Sequence, residues 1–229
     1  MFQLFFIEDI KNPELTGDNA HHAERVLRMR SGEELLVSDG AGSWARCRIT
    51  SVSKKSVQLE VVEKGEESAD QVEISVLQAI TKNDRAREAV ELLTAAGVSR
   101  IYPWQAARSI GKESDKWQTI AIEASKQSRR FVIPEVTERV DIQEALNILN
   151  QHDQVLICHE SATEKISDSI NDSQSTLIII GPEGGITDDE LAIFKGAGGK
   201  LVKLGRPVLR SAHAGIAAIS AVSALLKVW

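Results

Sequence analysis

Cysteine is scarce in this chain of 229 residues, and its two copies, Cys47 and Cys158, stand far apart. Neither belongs to a Cys-x-x-Cys motif, so the sequence predicts no zinc site and no disulfide framework. Such usage is typical of a reducing compartment, and we interpret both thiols as small buried apolar side chains.

Basic leader segments and long apolar runs are also missing. The first ten residues are apolar but lack the basic region and the small-residue cleavage site of a signal peptide. The final segment, 211–229, is too short and too weakly apolar to span a bilayer. We therefore expect a cytoplasmic protein.

Positive charge is not in excess, since 27 Lys and Arg stand against 33 Asp and Glu and give a formal net charge of -6. This balance argues against a protein coated in basic charge but permits local basic patches. Any surface that binds nucleic acid must therefore be local.

The first sixty residues show the short alternating patterns of a β domain. These patterns predict strands over 2–7, 34–38, 44–49 and 57–61, with one helix over 19–29. The helix carries a narrow stripe formed by Ala23, Val26, Leu27 and Arg30. An acidic stretch of small residues over 64–71 resembles a linker, so the pattern predicts a small β-barrel with one helix.

Strands alternate with helices in the remainder of the chain. We expect strands over 72–79, 98–103, 155–159 and 176–180, and helices over 84–96, 114–127 and 211–229. The segment 176–180 is apolar on both faces, as a central parallel strand requires. The alternation predicts an α/β domain in which helices cover both faces of a parallel sheet.

A glycine-rich turn, GPEGG at 181–185, follows the apolar segment 176–180 and precedes a helix whose Thr187 and Glu190 have the spacing of a capping box. Ligands of open α/β sheets bind at such strand ends. The turn lacks both the Walker and the dinucleotide motif, and Asp188 and Asp189 would repel a phosphate. It therefore suits a neutral or cationic ligand such as S-adenosylmethionine, with an ordinary glycine-rich turn as the alternative.

Two other strand ends, VLICHE at 155–160 and LGRPVLR at 204–210, have a similar polar or glycine-containing character. Three strand ends of this kind could surround one pocket. A metal site at 158–160 is not expected, because neighbouring strand residues point to opposite faces. The predicted cofactor site combines the three ends and consists of Cys158, His159, Glu160, Ile180, Gly181, Pro182, Glu183, Gly184, Gly185, Leu204, Gly205, Val208 and Leu209.

The motifs, taken together and in order, resemble those of one enzyme family. GPEGG and the LGRPVLR segment are similar to the cofactor-binding end of the SPOUT methyltransferases. The segments HHAERVLRM (21–29), TKNDR (81–85), ARS (107–109), EASKQSRR (123–130) and IPEV (133–136) resemble the ribosomal small-subunit RNA methyltransferase E family over nearly the whole chain.

This resemblance implies S-adenosylmethionine-dependent methylation of N3 of a uridine in 16S ribosomal RNA. It further implies a PUA-like RNA-binding β-barrel over 1–68, a trefoil-knotted SPOUT domain over 72–229 and a homodimer. The substrate could be naked 16S ribosomal RNA or the 30S subunit. No DNA, membrane or metal partner is expected.

The chain departs from the family pattern in two places. Ala212-His213-Ala214 stands where the family commonly has Glu-Thr-Ala, and Ala95-Ala96 stands where Glu-Leu is usual. These departures keep open a non-catalytic RNA-binding or assembly protein that retains the fold. A second rival is a SPOUT methyltransferase that acts on another position, such as a ribose 2′-hydroxyl of tRNA, although the N-terminal segments argue against it.

Basic side chains in the matching segments are candidates for RNA contact. Arg129 and Arg130 have an alternative role, because cations at a helix C-terminus complement the helix dipole. Arg210 is the candidate catalytic residue, while His213 is more readily interpreted as structural. The RNA-binding candidates are His21, His22, Arg25, Arg28, Arg30, Arg108, Lys126, Arg129 and Arg130.

Overall fold

The fold is described from a computed structural model that covers residues 2–67, 72–111 and 114–229. The chain forms two compact units. The first contains Met1–Ala69 and Ser125–Ile133, and the second contains Asp70–Ala124 and Pro134–Trp229. Within the described chain, we find no helix that is long and apolar enough to cross a membrane.

The first unit is built on a five-stranded sheet with the order β1-β3-β4-β5-β2. Its strands are β1 (Leu4–Phe6), β2 (Glu14–Thr16), β3 (Glu34–Ser38), β4 (Ser43–Val52) and β5 (Ser56–Glu66). β1 pairs with β3 in parallel, and the other pairs are antiparallel. The predicted linker is wrong over 64–66, which belong to β5, and its residues 68–71 lie outside the described chain.

The segment 125–133 joins this sheet through specific contacts. The Ser38 hydroxyl donates a hydrogen bond of 2.9 Å to the carbonyl of Phe131. The ring of Phe131 stacks on Trp44 with 5.1 Å between ring centroids and an interplanar angle of 12°. A segment that is distant in sequence therefore completes the first unit.

The predicted helix over 19–29 has a different form in the structure. It consists of α1 (Gly17–His21) and a π-helix (His22–Val26), in which the amide of Leu27 donates to the carbonyl of His22 at 3.0 Å. The wider turn changes which residues face the core. Ala23 is buried as predicted, but Val26 is 61% exposed and Arg30 is also exposed, so the predicted stripe is wrong at both positions.

The second unit contains a parallel six-stranded sheet with the order β11-β9-β10-β6-β7-β8. β10 is central and buried on both faces, which confirms the expectation for 176–180. Leu177 and Ile179 pack into one core, and Ile178 and Ile180 pack into the other. The strands are β6 (Glu73–Ala79), β7 (Arg100–Trp104), β8 (Glu135–Val136), β9 (Gln154–Cys158), β10 (Ser175–Ile180) and β11 (Lys200–Val202).

Helices cover this sheet. α2 and α7 approach each other so closely that a Cβ atom at Gly215 would lie 2.7 Å from Cδ2 of Leu93. Sequence reasoning did not predict α4 or α5. The helices are α2 (Asn83–Ala95), α3 (Trp117–Ser128), α4 (Ile142–Leu149), α5 (Ile166–Ser169), α6 (Asp188–Gly196) and α7 (Ser211–Leu225).

Candidate cofactor and RNA sites

The carboxyl ends of three neighbouring strands meet at one edge of the parallel sheet. Ile180 of β10 pairs with Cys158 of β9, and Cys158 pairs with Val202 of β11. Because the strands are parallel and end in register, the segments that follow them leave the sheet together. This is the edge at which open α/β sheets bind their ligands.

A cavity of about 690 Å³ lies at this edge. Its volume falls within the range of about 300 to 1,000 Å³ that is usual for small-molecule sites. The cavity is lined by every residue of the predicted cofactor site, by Arg210 and by Arg108. The structure thus brings together the three strand ends that sequence analysis proposed as one pocket.

Several lining residues were missed by sequence reasoning. Some of them lie inside the strand-end segments already singled out, so their position in the sequence was the available signal. Arg85 lies far from these segments along the chain; it belongs to the TKNDR segment of the family resemblance, but nothing in that segment indicates a role in the cavity. The residues missed are Arg85, Ile186, Asp188, Lys203, Arg206, Pro207, Ser211 and Ala214.

Two consecutive hydrogen bonds hold the glycine-rich loop 181–185 in place. The Ser211 hydroxyl, at the start of α7, donates to the carbonyl of Gly181 at 2.7 Å. The side-chain amide of Gln78 donates to the same hydroxyl at 3.0 Å. Gln78 is fully buried and pairs with Ile180 in the sheet. These two hydrogen bonds therefore join β6, α7 and the loop.

Two arginines hold the loop from other directions. Arg85 forms an ion pair with Glu183 at 3.1 Å, which partly offsets the negative charge of the loop. Arg108 donates to the carbonyl of Gly184 at 3.0 Å. A Cβ atom at Gly184 would lie 3.0 Å from Cβ of Arg108, so the absence of a side chain permits this close approach.

The predicted capping box of α6 is present. The carboxylate of Glu190 accepts a hydrogen bond from the amide of Thr187 at 2.8 Å, and the Thr187 hydroxyl accepts from the amide of Glu190 at 3.3 Å. Glu190 also accepts from the amide of Ala107 at 2.7 Å. A carboxylate therefore already occupies the start of α6, which disfavours a phosphate there.

The end of β9 contributes an uncharged thiol, Cys158, which is only partly buried and lines the cavity, whereas the sequence interpretation expected it to be buried like Cys47. Burial raises the pKa of the Cys158 thiol to about 12, so this side chain stays protonated at neutral pH. The ring Nδ1 of His159 accepts a hydrogen bond from the amide of Ser161 at 3.2 Å and also lies 2.8 Å from the Ser161 hydroxyl. These local contacts fix the orientation of the imidazole beside the cavity.

The two candidates for chemistry at the start of α7 differ in position. Arg210 lines the cavity and has an exposed side chain. His213 does not line it, and its Nε2 lies 3.1 Å from the carboxylate of Glu88. The structure therefore supports the interpretation of His213 as a residue that pairs with α2.

The RNA-binding candidates are divided between the two units. His21, His22, Arg25, Arg28 and Arg30 are all exposed and lie in or next to the π-helix. The partly buried Lys126, Arg129 and Arg130 also belong to the first unit, whereas Arg108 belongs to the second. The candidates outside the cavity thus include a compact basic segment, in which two adjacent histidines are followed by three arginines around the exposed Val26.

Comparison with protein families gives two matches in the same order as the two units. A family model described as an RNA methyltransferase PUA domain matches residues 15–62. A second, described as an RNA methyltransferase domain, matches residues 68–223. These matches confirm the expected PUA-like β domain and the α/β methyltransferase domain.

A solved structure of the ribosomal RNA small subunit methyltransferase E from Neisseria gonorrhoeae, bound to S-adenosylmethionine, is similar in both sequence and fold. It is 28% identical, has a TM-score of 0.90 and covers 98% of each chain. A SpoU methyltransferase from Streptomyces viridochromogenes, 18% identical with a TM-score of 0.51 over 76% of this chain and 68% of that one, shares the fold alone.

A curated relative is similar in sequence over nearly the whole chain. The ribosomal RNA small subunit methyltransferase E of Mycobacterium bovis is 35% identical over 226 residues, which span 93% of this chain and 86% of the relative. Because the similarity is this extensive and the methyltransferase model matches most of the chain, the chain belongs to the ribosomal RNA small subunit methyltransferase E family.

Proposed function

We propose that this protein transfers the methyl group of S-adenosylmethionine to N3 of a uridine in 16S ribosomal RNA. As a member of its family it is an S-adenosylmethionine-dependent ribosomal RNA methyltransferase. The observation that carries the proposal is the single cavity at which the GPEGG loop, the end of β9 and the segment 204–210 converge. We place the reaction in the cytoplasm.

The residues of this cavity fit the cofactor. The loop wall carries the carboxylates of Glu183 and Asp188, and the end of β9 carries that of Glu160, which suit the sulfonium and ammonium groups of S-adenosylmethionine. The glycines let the loop pack closely beside the cavity, because a Cβ atom would lie 2.7 Å from Cγ1 of Ile186 at Gly181 and 3.0 Å from Cβ of Arg108 at Gly184, and Gly185 has a positive φ of +76°. When bound, S-adenosylmethionine supplies a methyl group on a good leaving group. The site residues proposed for it are those predicted from the three strand ends.

The protein's own residues must position uracil and stabilise the charge that develops on it. Uracil N3 carries a proton at neutral pH, so its removal leaves negative charge on O2 and O4. Arg210 can offer its guanidinium to that charge, because its exposed side chain lines the cavity and forms no ion pair with any residue in the described chain. To reach the methyl group, the target uracil must also unstack from the neighbouring bases of the RNA, at a cost of a few kcal/mol.

We also propose a homodimer, in which α7 contributes to the interface. Its surface includes Ala221 and the exposed residues Ala224 and Leu225, and the chain ends with Trp229 at 66% exposed. A symmetric contact between two copies is the commonest way for a protein to cover such a surface. Ala218 of the same helix, in contrast, is fully buried within its own subunit.

The domain limits 1–68 and 72–229 complete the proposal, except that the segment 125–133 packs in the first unit. In this proposal the first domain binds RNA, and the second binds both cofactor and target base. The basic segment around the π-helix supports the first role, because phosphate contacts position a protein on RNA. Exposed cations in this segment can act locally even though the chain carries net negative charge.

The test is methyl transfer from radiolabelled S-adenosylmethionine to purified RNA. We expect label in 16S ribosomal RNA or in 30S subunits from a strain lacking the enzyme, and none in tRNA. Label in tRNA would support the rival SPOUT activity. Cofactor binding without transfer to any of these substrates would support the non-catalytic alternative.

A further inference from the structure

The segment 203–210, between β11 and α7, has an unusual surface for a stretch that lines a cofactor cavity. Its residues 205–210 are all exposed. Val208 is 72% exposed and Leu209 is 41% exposed, although both are apolar. These side chains lie between Arg206 and Arg210. Exposed apolar side chains flanked by cations indicate a surface that becomes covered by an anionic partner.

The positive charges around the cavity fall into two classes. Arg85 is paired with Glu183 at 3.1 Å, and Arg108 donates to a loop carbonyl at 3.0 Å. In contrast, Lys203, Arg206 and Arg210 form no ion pair within 4.0 Å with any residue in the described part of the chain. Unpaired positive charge is therefore concentrated on one wall, where it attracts anions.

The charges of the cofactor do not match this wall. S-adenosylmethionine carries one carboxylate together with two positive groups, so it offers only one negative group to a wall of three cations. An RNA strand, however, carries a phosphodiester at every nucleotide. The target base must reach the methyl group in this same cavity, which brings the phosphates on either side of that base close to the segment.

We propose that Lys203 and Arg206 bind the phosphodiester groups of the RNA strand next to the target uridine. Val208, at the rim of the predicted cofactor site and 72% exposed, would then pack against the nucleotide between them rather than against the cofactor. This inference rests on the proposed function. It adds a second RNA-binding site, within the methyltransferase unit, to the basic segment of the first unit. Arginine suits this role because its planar guanidinium can donate two hydrogen bonds to one phosphate.

The test uses Arg206→Ala and Lys203→Ala, with Lys195→Ala as the matched control. Lys195 is an exposed cation on α6 that does not line the cavity. Binding of in vitro transcribed 16S ribosomal RNA is measured over a series of KCl concentrations, and binding of S-adenosylmethionine alone is measured by calorimetry. Each variant removes one positive charge and leaves the GPEGG loop unchanged.

Each cavity variant should weaken RNA binding about fivefold and reduce the slope of log K against log [salt] by about 0.7, as expected for one lost contact to single-stranded RNA. Cofactor affinity should stay within about twofold of wild type, because neither side chain contacts the cofactor in this proposal. The control should match wild type in both measurements.

Two results would overturn the inference. If cofactor affinity falls while the salt slope is unchanged, the cations hold the carboxylate of S-adenosylmethionine. If both quantities are unchanged, they are solvated surface charges. Failure of the proposed function is separate, because it requires that the wild-type protein itself transfers no methyl group to 16S ribosomal RNA.

Discussion

Ser211 donates a hydrogen bond of 2.7 Å to the carbonyl of Gly181, and this contact joins the first turn of α7 to the glycine-rich loop. The hydroxyl also accepts from the buried amide of Gln78 at 3.0 Å. One side chain thereby sets the spacing between two of the three segments that line the cavity. The position of the loop consequently depends on Ser211.

Replacing Ser211 by Ala should weaken the binding of S-adenosylmethionine, because the Gly181 carbonyl and the Gln78 amide would both lose a partner. A buried group left without its partner costs about 1 to 3 kcal/mol. The Ser211→Thr variant keeps the hydroxyl and should keep most of the affinity. Calorimetry on both variants tests this prediction. Equal cofactor affinity in the Ala and Thr variants would show that the hydrogen bonds of the Ser211 hydroxyl do not support the cofactor site.

The Gly184→Val change should abolish cofactor binding without unfolding the protein. A Cβ atom at this position would already lie 3.0 Å from Cβ of Arg108, so the larger side chain must displace either the arginine or the loop. Gly196→Ala is the control, because a Cβ atom there meets nothing within 4 Å. Calorimetry and thermal denaturation separate binding from folding, and normal affinity in Gly184→Val would contradict the role of the loop.

In the first unit, Arg25→Ala combined with Arg28→Asn should weaken RNA binding and flatten its dependence on salt, with cofactor affinity unchanged. Asn is used at position 28 because the backbone there has φ +56°, which Asn tolerates. The double change Lys54→Ala and Lys55→Ala, at the exposed turn between β4 and β5, removes the same charge as a control. If the slope of log K for RNA binding against log [salt] is unaltered in the arginine variant, this segment is an ordinary solvated surface that does not bind RNA.

The homodimer predicts that Leu225→Glu dissociates the subunits and reduces methylation. Leu225 is 42% exposed on α7, so a charge there disturbs an interface more than the core of its own subunit. Ile193→Glu changes a similarly exposed residue, 37%, on α6 and should leave the assembly intact. Light scattering and a methylation assay on the same samples decide the matter, and a fully active monomer would rule the dimer out.

The two thiols should resist alkylation at pH 8. Burial raises the pKa of Cys47 to about 11 and that of Cys158 to about 12, so the reactive thiolate is scarce in the folded chain at that pH. Mass spectrometry after treatment with iodoacetamide should find little modification until denaturant is added. Rapid labelling of Cys158 in the native protein would contradict its desolvated position beside the cavity.

The parallel sheet and its cavity could be predicted because their signals are local. The segment 176–180 is apolar on both faces, and Thr187 and Glu190 have capping-box spacing, so both were interpreted correctly. Convergence of the three strand ends then follows from the rule that parallel strands end at a common edge.

The features that were missed depend on distant contacts or on uncommon backbone geometry. Val26 has the spacing of a buried α-helical residue, but the π-helix turns it outwards. The attachment of 125–133 to the first unit depends on Trp44, Phe131 and Ser38, which no periodicity connects. Likewise, nothing near Arg85 in the sequence indicates its pairing with Glu183.

The most direct test of the proposed reaction is mass spectrometry of nucleosides from 16S ribosomal RNA of a strain that lacks this protein, before and after incubation with the purified enzyme and S-adenosylmethionine. We predict that 3-methyluridine is missing from the untreated RNA and appears at one position after incubation. Restoration of a ribose 2′-O-methyl group instead, or 3-methyluridine already present in the deletion strain, would contradict the proposed activity.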